Sequence, residues 1–277
     1  MYDFDKTLCT KDMQEYSFIP SLGMAPAAFW KESQELAETE RMDRILAYMY
    51  LMLRKSNEAR VPIRRERFVE QGGTIEYYSG VAEWFDRVSE YGKAEGATIE
   101  HYIISSGLKE FIEGCSIAGK FKEIYACEYL YDENGVARWP KQVVNYTTKT
   151  QFLFRVNKGV LDISDDDTLN RYLHEDDRRV PFRNMIYIGD GLTDVPCMKL
   201  VKVNGGQSIA VYPRNRRGQV AELLQDDRVN YLAVADYSPG GELDSLVRDI
   251  VRKMVAVDGL TRLHRRQMKQ IGDARRG

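Results

Sequence analysis

The sequence lacks any long hydrophobic run. No stretch of about 18 consecutive apolar residues occurs in the 277-residue chain, so no membrane-spanning helix is predicted. The first residues also lack the basic, apolar and small-residue order of a secretory signal peptide. We therefore expect a soluble, cytoplasmic protein that has no membrane partner.

Cysteine is scarce as well. The four cysteines, Cys9, Cys115, Cys127 and Cys197, are widely spread and show no paired metal-ligand spacing. We expect reduced thiols, as is usual in the cytosol, and neither a disulfide framework nor a zinc site. Aromatic RNA-binding motifs and internal repeats are also absent, so no nucleic-acid partner is expected.

Charge is nearly balanced overall but unevenly distributed. The formal net charge is −2, yet residues 261–277 contribute six positive charges against one negative charge, or +5, which leaves −7 elsewhere. The residues concerned are Arg262, Arg265, Arg266, Lys269, Arg275, Arg276 and Asp273. Nucleic acid or acidic lipid could contact such a tail, but the favoured interpretation is a frayed, solvated C-terminus.

What the sequence does contain is enough apolar residues, 43%, for one or two globular domains. After residue 78, helical patterns alternate with short β-rich runs, which indicates a doubly wound, Rossmann-like α/β core with a parallel sheet. Strands are predicted at 99–104, 123–131, 185–188, 208–212 and 231–235, and helices at 81–91, 108–118, 151–156 and 243–256. A hairpin turn is predicted at 132–135.

A helical insertion precedes this core. Residues 11–78 have helical periodicity interrupted by proline and glycine, and one long helix is predicted from Ala27 to Glu58. The predicted domains are therefore a core of residues 1–10 and 79–277 and a helical cap of residues 11–78. An insertion directly after a first strand lies where ligands bind in open α/β sheets, so it is expected to cover the site.

Two aspartates one residue apart, Asp3 and Asp5, end the short apolar lead of the chain. Alternate residues of a strand share a face, so the two carboxylates would lie about 5–7 Å apart. At an effective dielectric of about 20, their repulsion is on the order of 3 kcal/mol. A bound cation, a shifted pKa or full exposure would relieve it, and taken alone the pair fits an exposed turn equally well.

Two further stretches carry groups that suit a phosphate. Ser105, Ser106 and Gly107 follow an apolar strand, where a hydroxyl and backbone N–H groups can hold an anion, although an ordinary helix cap has the same pattern. Lys149 is predicted at the start of a helix, where a cation opposes the helix dipole and calls for an anionic partner. Lys158, at the other end of that helix, is a secondary candidate.

The stretch Met185–Asp194 is the most specific. Its apolar strand runs into Gly189-Asp190-Gly191, and a second acid, Asp194, follows four residues after the first. The glycines permit tight backbone geometry, Asp190 can reach a metal, and Asp194 can cap the next helix or support the site.

With these motifs in this order, the sequence resembles the haloacid dehalogenase-like hydrolase superfamily, in the branch that contains phosphoserine phosphatases. The resemblance spans Asp3 to about Asp194 and rests on DxDxT, which Thr7 completes, together with GDGxTD. It implies that Asp3 is a nucleophile forming an aspartyl-phosphate and that Asp5 is the general acid/base.

The resemblance also implies a phosphate site and a magnesium site. Phosphate would be held by Ser105, Ser106, Gly107 and Lys149. Mg²⁺ would be bound by Asp3, Asp5 through its backbone carbonyl, and Asp190, with Thr7 and Asp194 in support. The implied activity is hydrolysis of a small phosphorylated metabolite. The sequence identifies neither that metabolite nor the oligomeric state of the protein.

Two departures and three alternatives remain open at this stage. Only Met1 and Tyr2 precede Asp3, so the first strand is expected to be short, as in a truncated chain or a gene model with a late start. The distance from Lys149 to Asp190 is also long for this branch. The alternatives are a phosphotransferase using the same intermediate, a signalling receiver phosphorylated on Asp, and a catalytically inactive phosphate-binding relative.

Overall fold

The computed structural model describes residues 1–274, without the side chains of residues 176, 219 and 272–274. At its centre lie two three-stranded sheets. Their strands are β1 (Tyr102–Leu108), β2 (Glu123–Tyr131), β3 (Ala137–Gln142), β4 (Ile186–Gly189), β5 (Gln207–Tyr212) and β6 (Tyr231–Val234). β1 and β2 are parallel, as are β4, β5 and β6, whereas β2 and β3 form an antiparallel hairpin. The predicted doubly wound α/β fold is thus confirmed.

The segment around Tyr2 joins the two sheets. Tyr2 forms parallel bridges with Ile103 of β1 on one side and Ile188 of β4 on the other. Its N–H donates to the Tyr102 carbonyl at 2.9 Å, and the Asp3 N–H donates to the Ile188 carbonyl at 2.9 Å. The expected short first strand is therefore a two-sided bridge, and it places Asp3 at the carboxyl edge of the combined sheet.

Helices cover both faces of the sheet. They are α5 (Val81–Ala94), α6 (Lys109–Gly114), α7 (Lys149–Lys158), α8 (Asp166–Asn170), α9 (Val195–Val203), α10 (Gly218–Gln225) and α11 (Glu242–Ala274). In α5, Val81, Trp84, Phe85 and Val88 repeat at the spacing of one helix face, and all four are buried. The Trp84 indole N–H donates to the Tyr2 hydroxyl at 3.0 Å, which ties this helix to the central bridge.

Four helices occupy the region predicted to be an insertion: α1 (Phe18–Ser21), α2 (Pro26–Glu40), α3 (Arg44–Glu58) and α4 (Arg65–Gly72). The prediction of one helix from Ala27 to Glu58 was wrong. Arg41 ends α2 in the left-handed conformation at φ 51°, and the Asp43 side chain caps α3 by accepting from the N–H groups of Ile45 at 2.8 Å and Leu46 at 3.1 Å. Hydrophobic periodicity continues across this break, because both helices bury residues against the same core.

The two chain segments that enter and leave this helical region pair with each other. Cys9 and Tyr77 form an antiparallel bridge, and the Thr10 N–H donates to the Glu76 carbonyl at 3.1 Å. The Tyr16 hydroxyl links both segments, since it accepts from the Thr10 N–H at 2.9 Å and donates to the Glu76 carbonyl at 3.1 Å. A hydrogen-bonded neck thus joins the helical region to the sheet, and close packing of α4 on α6 and a bridge between Arg64 and Val136 hold the region against the core as well.

Two element ends differ from the predictions. β1 continues through Ser105–Gly107 to Leu108, so those residues belong to the strand, and α6 begins at Lys109 and ends at Gly114. The last helix was predicted to end at Ala256 but continues to Ala274, so the expected frayed tail is helical as far as the description extends, and residues 275–277 lie outside it. None of the helices within the described residues has the length and apolarity needed to cross a bilayer.

Candidate active site

Three loops at the carboxyl edge of the sheet bring the motif residues together. Asp3 and Asp5 follow the Tyr2 bridge, Asp190 follows β4, and Lys149 begins α7 as predicted. Because parallel strands end at the same edge, residues far apart in sequence meet here. The position is the one at which open α/β sheets bind ligands.

Lys149 is the centre of a buried ion-pair cluster. Its Nζ donates to Asp3 Oδ1 at 2.7 Å and to Asp194 Oδ1 at 2.7 Å, and the Lys149 and Asp194 side chains have no solvent exposure. Thr7 Oγ1 lies 3.5 Å from Asp3 Oδ2. One ammonium thus fixes the orientation of two carboxylates that come from opposite ends of the motif set.

A tyrosine that the sequence reasoning missed completes this cluster. Tyr187 lies inside β4, and its hydroxyl donates to Asp194 Oδ1 at 2.8 Å. Tyr187 is fully buried, so the bond lies in a region of low effective dielectric. The available signal was that Tyr187 shares a face of β4 with Gly189, two residues on, and Asp194 packs against Gly189.

The electrostatics of the cluster favour an additional cation. Burial and then the charge of Asp194 raise the pKa of Asp3 to about 7, against the opposing effect of Lys149. The pKa of Asp190 is raised well above its usual value, first by burial and then by the charges of Asp3 and Asp194. Burial alone would lower the pKa of Lys149, but Asp194 and Asp3 outweigh burial and raise it. The carboxylates are therefore not fully compensated by Lys149.

The donor set fits Mg²⁺. One carboxylate oxygen from each of Asp3, Asp190 and Asp194 lies within 4.8 Å of the others. All three ligands are hard oxygen donors, which Mg²⁺ prefers, and Asp194 Oδ2 is buried with no hydrogen-bond partner among the described residues. The resemblance implied Asp3, Asp190 and the Asp5 backbone carbonyl as ligands with Asp194 in support, and the structure brings an Asp194 carboxylate oxygen into the group as well.

Asp5 faces the helical region instead. Its Oδ1 accepts from the Met13 N–H at 2.8 Å, and Met13 lies in the first turn after the neck. Burial raises the pKa of Asp5 well above its usual value, and the charges of Asp12 and Asp3 raise it further. A raised pKa favours the protonated form of this carboxyl group, which is the form that can donate a proton.

Gly107 allows Asp5 and Met13 to approach the end of β1. A Cβ at Gly107 would lie 2.7 Å from Asp5 Oδ2 and 2.2 Å from Met13 Cε, so no larger residue fits without displacing them. The sulfur of Met13 also accepts from the Leu108 N–H at 3.1 Å. The requirement for glycine at this position thus comes from close packing and not from its φ angle.

The two serines of this stretch have different surroundings. Ser105 is fully buried, and its hydroxyl oxygen accepts from the Gly107 N–H at 3.0 Å. The Ser106 hydroxyl is buried without a hydrogen-bond partner among the described residues, while its carbonyl accepts from the Tyr48 hydroxyl at 2.7 Å. Ser106 therefore has an unused hydroxyl at the strand end where an anion is expected.

The two glycines around Asp190 differ in their roles. A Cβ at Gly189 would lie 2.5 Å from Asp194 Oδ2, so Asp194 can approach the strand only because residue 189 is glycine. Gly191 has an extended backbone with φ −151° and open space where a Cβ would lie. The sequence-based argument for tight geometry thus applies to Gly189 but not to Gly191.

Lys6 and Lys158 form their contacts outside this cluster. Lys6 adopts a left-handed backbone at φ 56°, and its Nζ pairs with Asp12 Oδ2 at 2.5 Å. Lys158 lies at the end of α7 and donates to the carbonyls of Leu169 at 2.5 Å and Arg171 at 2.7 Å. The structure brings Lys149, and not Lys158, to the carboxylates.

The chain is similar to known proteins in sequence and in fold. The family model described as haloacid dehalogenase-like hydrolase matches residues 1–199. An uncharacterized protein of Borreliella burgdorferi is 26% identical over 272 residues, which cover 88% of this chain and 92% of that protein.

Solved structures show the same fold. A HAD-family hydrolase of Salmonella enterica serovar Typhi superimposes with a TM-score of 0.55 at 16% identity, covering 89% of this chain and 68% of that one. A substrate-bound phosphoserine phosphatase superimposes with a TM-score of 0.51 at 13% identity, covering 83% of this chain and 90% of that one. At these identities the likeness concerns the fold.

Proposed function

The chain belongs to the haloacid dehalogenase-like hydrolase family, and on that premise we propose that it is a Mg²⁺-dependent phosphatase of a small phosphomonoester. The observation that carries the proposal is the buried cluster in which Lys149 bonds Asp3 and Asp194 at 2.7 Å each, with Asp190 beside them. A carboxylate nucleophile, a fixed ammonium and a set of hard oxygen ligands are the groups that phosphoryl transfer through an aspartyl-phosphate requires.

In the proposed reaction, an oxygen of Asp3 attacks phosphorus while the bond to the ester oxygen breaks. Lys149 holds Asp3 in place through its 2.7 Å bond and balances charge on the transferring phosphoryl group. The Ser105–Gly107 strand end would hold the phosphoryl oxygens through its hydroxyl and N–H groups: the Ser106 hydroxyl has no partner among the described residues, whereas the Gly107 N–H would exchange its bond to Ser105 Oγ for one to phosphate. Mg²⁺, when bound by Asp3, Asp190 and Asp194, would neutralise negative charge on the carboxylates and phosphate.

Asp5 supplies and then removes a proton. In the first step it donates its proton to the leaving oxygen, which departs as an alcohol. In the second step the Asp5 carboxylate takes a proton from water, whose oxygen attacks phosphorus and releases phosphate, so that Asp3 is regenerated. The raised pKa of Asp5 and its bond to the Met13 N–H support this role.

We assign residues 11–78 to a cap over this site and residues 1–10 and 79–277 to the core. The neck at Cys9 and Tyr77 supports this division, because the two chain segments that enter and leave the helical region pair with each other there. Met13 supports it as well, since this cap residue packs against Gly107 and hydrogen-bonds Asp5. A cap that contacts the acid/base would couple closure over a small substrate to the chemistry.

The test is Mg²⁺-dependent release of phosphate from phenyl phosphate. We expect turnover with Mg²⁺, none with a chelator, and a loss of about a thousandfold or more in Asp3→Asn. Asp167→Asn is the matched control, because Asp167 is an exposed acid on α8. Circular dichroism shows whether each variant is folded, and a folded Asp3→Asn protein with full activity would contradict the assigned nucleophile.

The same assay separates hydrolysis from transfer. In a phosphatase, added acceptor alcohols leave phosphate as the main product. A phosphotransferase that uses the same intermediate would form new phosphate esters in proportion to the alcohol. A stable phospho-Asp without turnover would instead indicate a signalling receiver. Binding of phosphate with neither hydrolysis nor transfer would indicate a catalytically inactive relative.

A further inference from the structure

The loop after β5 carries three arginines that the proposed chemistry does not use. Pro213–Arg217 contains Arg214, Arg216 and Arg217, and all three side chains are exposed. Asn215 adopts a left-handed backbone with φ 78°, so the loop turns sharply between two of them. Arg216 and Arg217 have no ion pair with any residue that the structure describes.

The topology of the sheet places this loop beside the active site. β5 is the parallel neighbour of β4, with Gly189 opposite Ala210, so both strands end at the edge that carries Asp190. Neighbouring strands lie about 5 Å apart, and the loops that follow them are adjacent. The arginine loop is therefore the next loop along the edge from the loop that carries Asp190.

A second set of contacts connects the loop to the Asp3–Thr7 segment. Arg214 Nη2 lies 3.3 Å from Asp236 Oδ2, and Asp236 directly precedes Tyr237. The Tyr237 hydroxyl donates to the Thr7 carbonyl at 2.8 Å, and the Tyr237 N–H donates to the Ser79 carbonyl at 2.8 Å. The arginine loop, the DxDxT segment and the neck thus lie next to one another at the edge of the active site, which we call the rim.

Arg216 lies within electrostatic range of Tyr78, a residue of this rim. Tyr78 is half-buried in the neck, and its N–H donates to the Leu8 carbonyl at 3.0 Å. Its pKa is raised first by burial and then by the charge of Asp190, while the charges of Lys6 and Arg216 oppose the rise. Asp190 and Arg216 therefore both lie within electrostatic range of one side chain at the entrance.

The groups around the reacting centre offer little unpaired positive charge to a substrate that carries a second negative group. Asp3, Asp5, Asp12, Asp190 and Asp194 contribute five carboxyl groups there. The ammonium groups of Lys149 and Lys6 are already in ion pairs with three of these acids. The arginine loop is a neighbouring source of positive charge that these acids do not neutralise.

We propose that the loop Pro213–Arg217 is an anion subsite that selects phosphomonoesters whose leaving group carries a second anionic group. The proposal rests on the proposed phosphatase function. Arg216 and Arg217 bind that group, and Arg214, held by Asp236, fixes the loop in position. The planar guanidinium suits both a carboxylate and a second phosphate, which share this charge and geometry.

The test compares three esters with the same reacting group: phenyl phosphate, 4-carboxyphenyl phosphate and 1,4-phenylene bisphosphate. The quantity measured is the ratio of kcat/KM per phosphate group for each charged ester to that for phenyl phosphate, because the bisphosphate has two equivalent phosphates. We expect a ratio of about five or more in the native protein and a fall towards one in the double variant Arg216→Gln/Arg217→Gln. A carboxylate or a phosphate preference is read from which charged ester gives the larger ratio.

Arg252→Gln is the matched control, since Arg252 is an exposed arginine on α11 that pairs with Asp249. It should leave the ratio unchanged, and 0.5 M salt should reduce the ratio in the native protein. An equal loss on all three esters in the double variant would overturn the proposal, because it would indicate general attraction of phosphate. An unchanged ratio would overturn it as well.

Binding of non-hydrolysable analogues separates this proposal from the proposed function. Calorimetric titration with phenylphosphonate and 4-carboxyphenylphosphonate measures the preference without turnover. One outcome is that no ester is hydrolysed, that the carboxylated analogue binds about fivefold more tightly, and that the double variant removes this difference. The subsite is then supported and the phosphatase assignment is wrong. If hydrolysis occurs and neither analogue is preferred, the subsite fails alone.

Discussion

Tyr187→Phe is the substitution that tests the buried cluster most directly, because it removes one hydroxyl and almost no volume. The Tyr187 hydroxyl donates to Asp194 Oδ1 at 2.8 Å, and both side chains are fully buried. A hydrogen bond to a charged group contributes about 1.5–3 kcal/mol. The phenylalanine ring fills the same space, so cavity formation should add little to the loss.

The expected result is a decrease of about 1.5–3 kcal/mol in the free energy of unfolding, measured by urea denaturation with an unchanged m-value. Asp194 would keep its 2.7 Å bond to Lys149, so the variant should still fold. If Asp194 binds Mg²⁺, its looser orientation should also weaken the apparent Mg²⁺ affinity by about tenfold. Thermal unfolding with and without Mg²⁺ measures that second effect.

Tyr172→Phe is the control, since the Tyr172 side chain is 89% exposed. It should change the free energy of unfolding by less than about 0.5 kcal/mol. A Tyr187→Phe variant as stable as the native protein would show that the hydroxyl does not stabilise Asp194. The reasoning about the cluster would then be refuted even if the enzyme remained active.

Three further substitutions probe the fold. Asp43→Ala removes the cap of α3 and should lower the free energy of unfolding by about 0.5–2 kcal/mol in urea, whereas an unchanged midpoint would contradict the role of this cap. Gly114→Ala places a Cβ 1.7 Å from the Val69 carbonyl oxygen, between α4 and α6. We expect the free energy of unfolding to fall by several kcal/mol, or the variant not to fold, and soluble yield and thermal unfolding measure this. Burial lowers the pKa of His101 to about 4. Between about pH 6.5 and 4 the unfolded chain therefore binds a proton that the native protein does not bind, so stability should fall as the pH decreases through this range. From pH 7.5 to 5, the native protein should lose about 2 kcal/mol more than His101→Gln, and equal losses would contradict this assignment.

The sequence predicted the elements that depend on local pattern. The α/β alternation, the hairpin of β2 and β3, the start of α7 at Lys149 and the strand before Asp190 all follow from hydrophobic period and turn residues. Local pattern did not identify the break at Arg41, because both helices bury residues on the same core and the apolar period continues across it. Local pattern also predicts too early an end for the last helix, because the polar composition of its second half is typical of a solvated tail.

Within the candidate site, the sequence by itself determined which acids, hydroxyls and lysine have chemistry to offer and in which order they follow the strands. Only the tertiary structure decided how they meet: Lys149 between Asp3 and Asp194, the Tyr187 hydroxyl on Asp194, and the Met13 N–H on Asp5. The physical reason is the sequence separation between the residues in contact. Helix and strand periods record contacts a few residues apart, whereas these bonds join residues up to 146 positions apart and form only when parallel strands end at one edge.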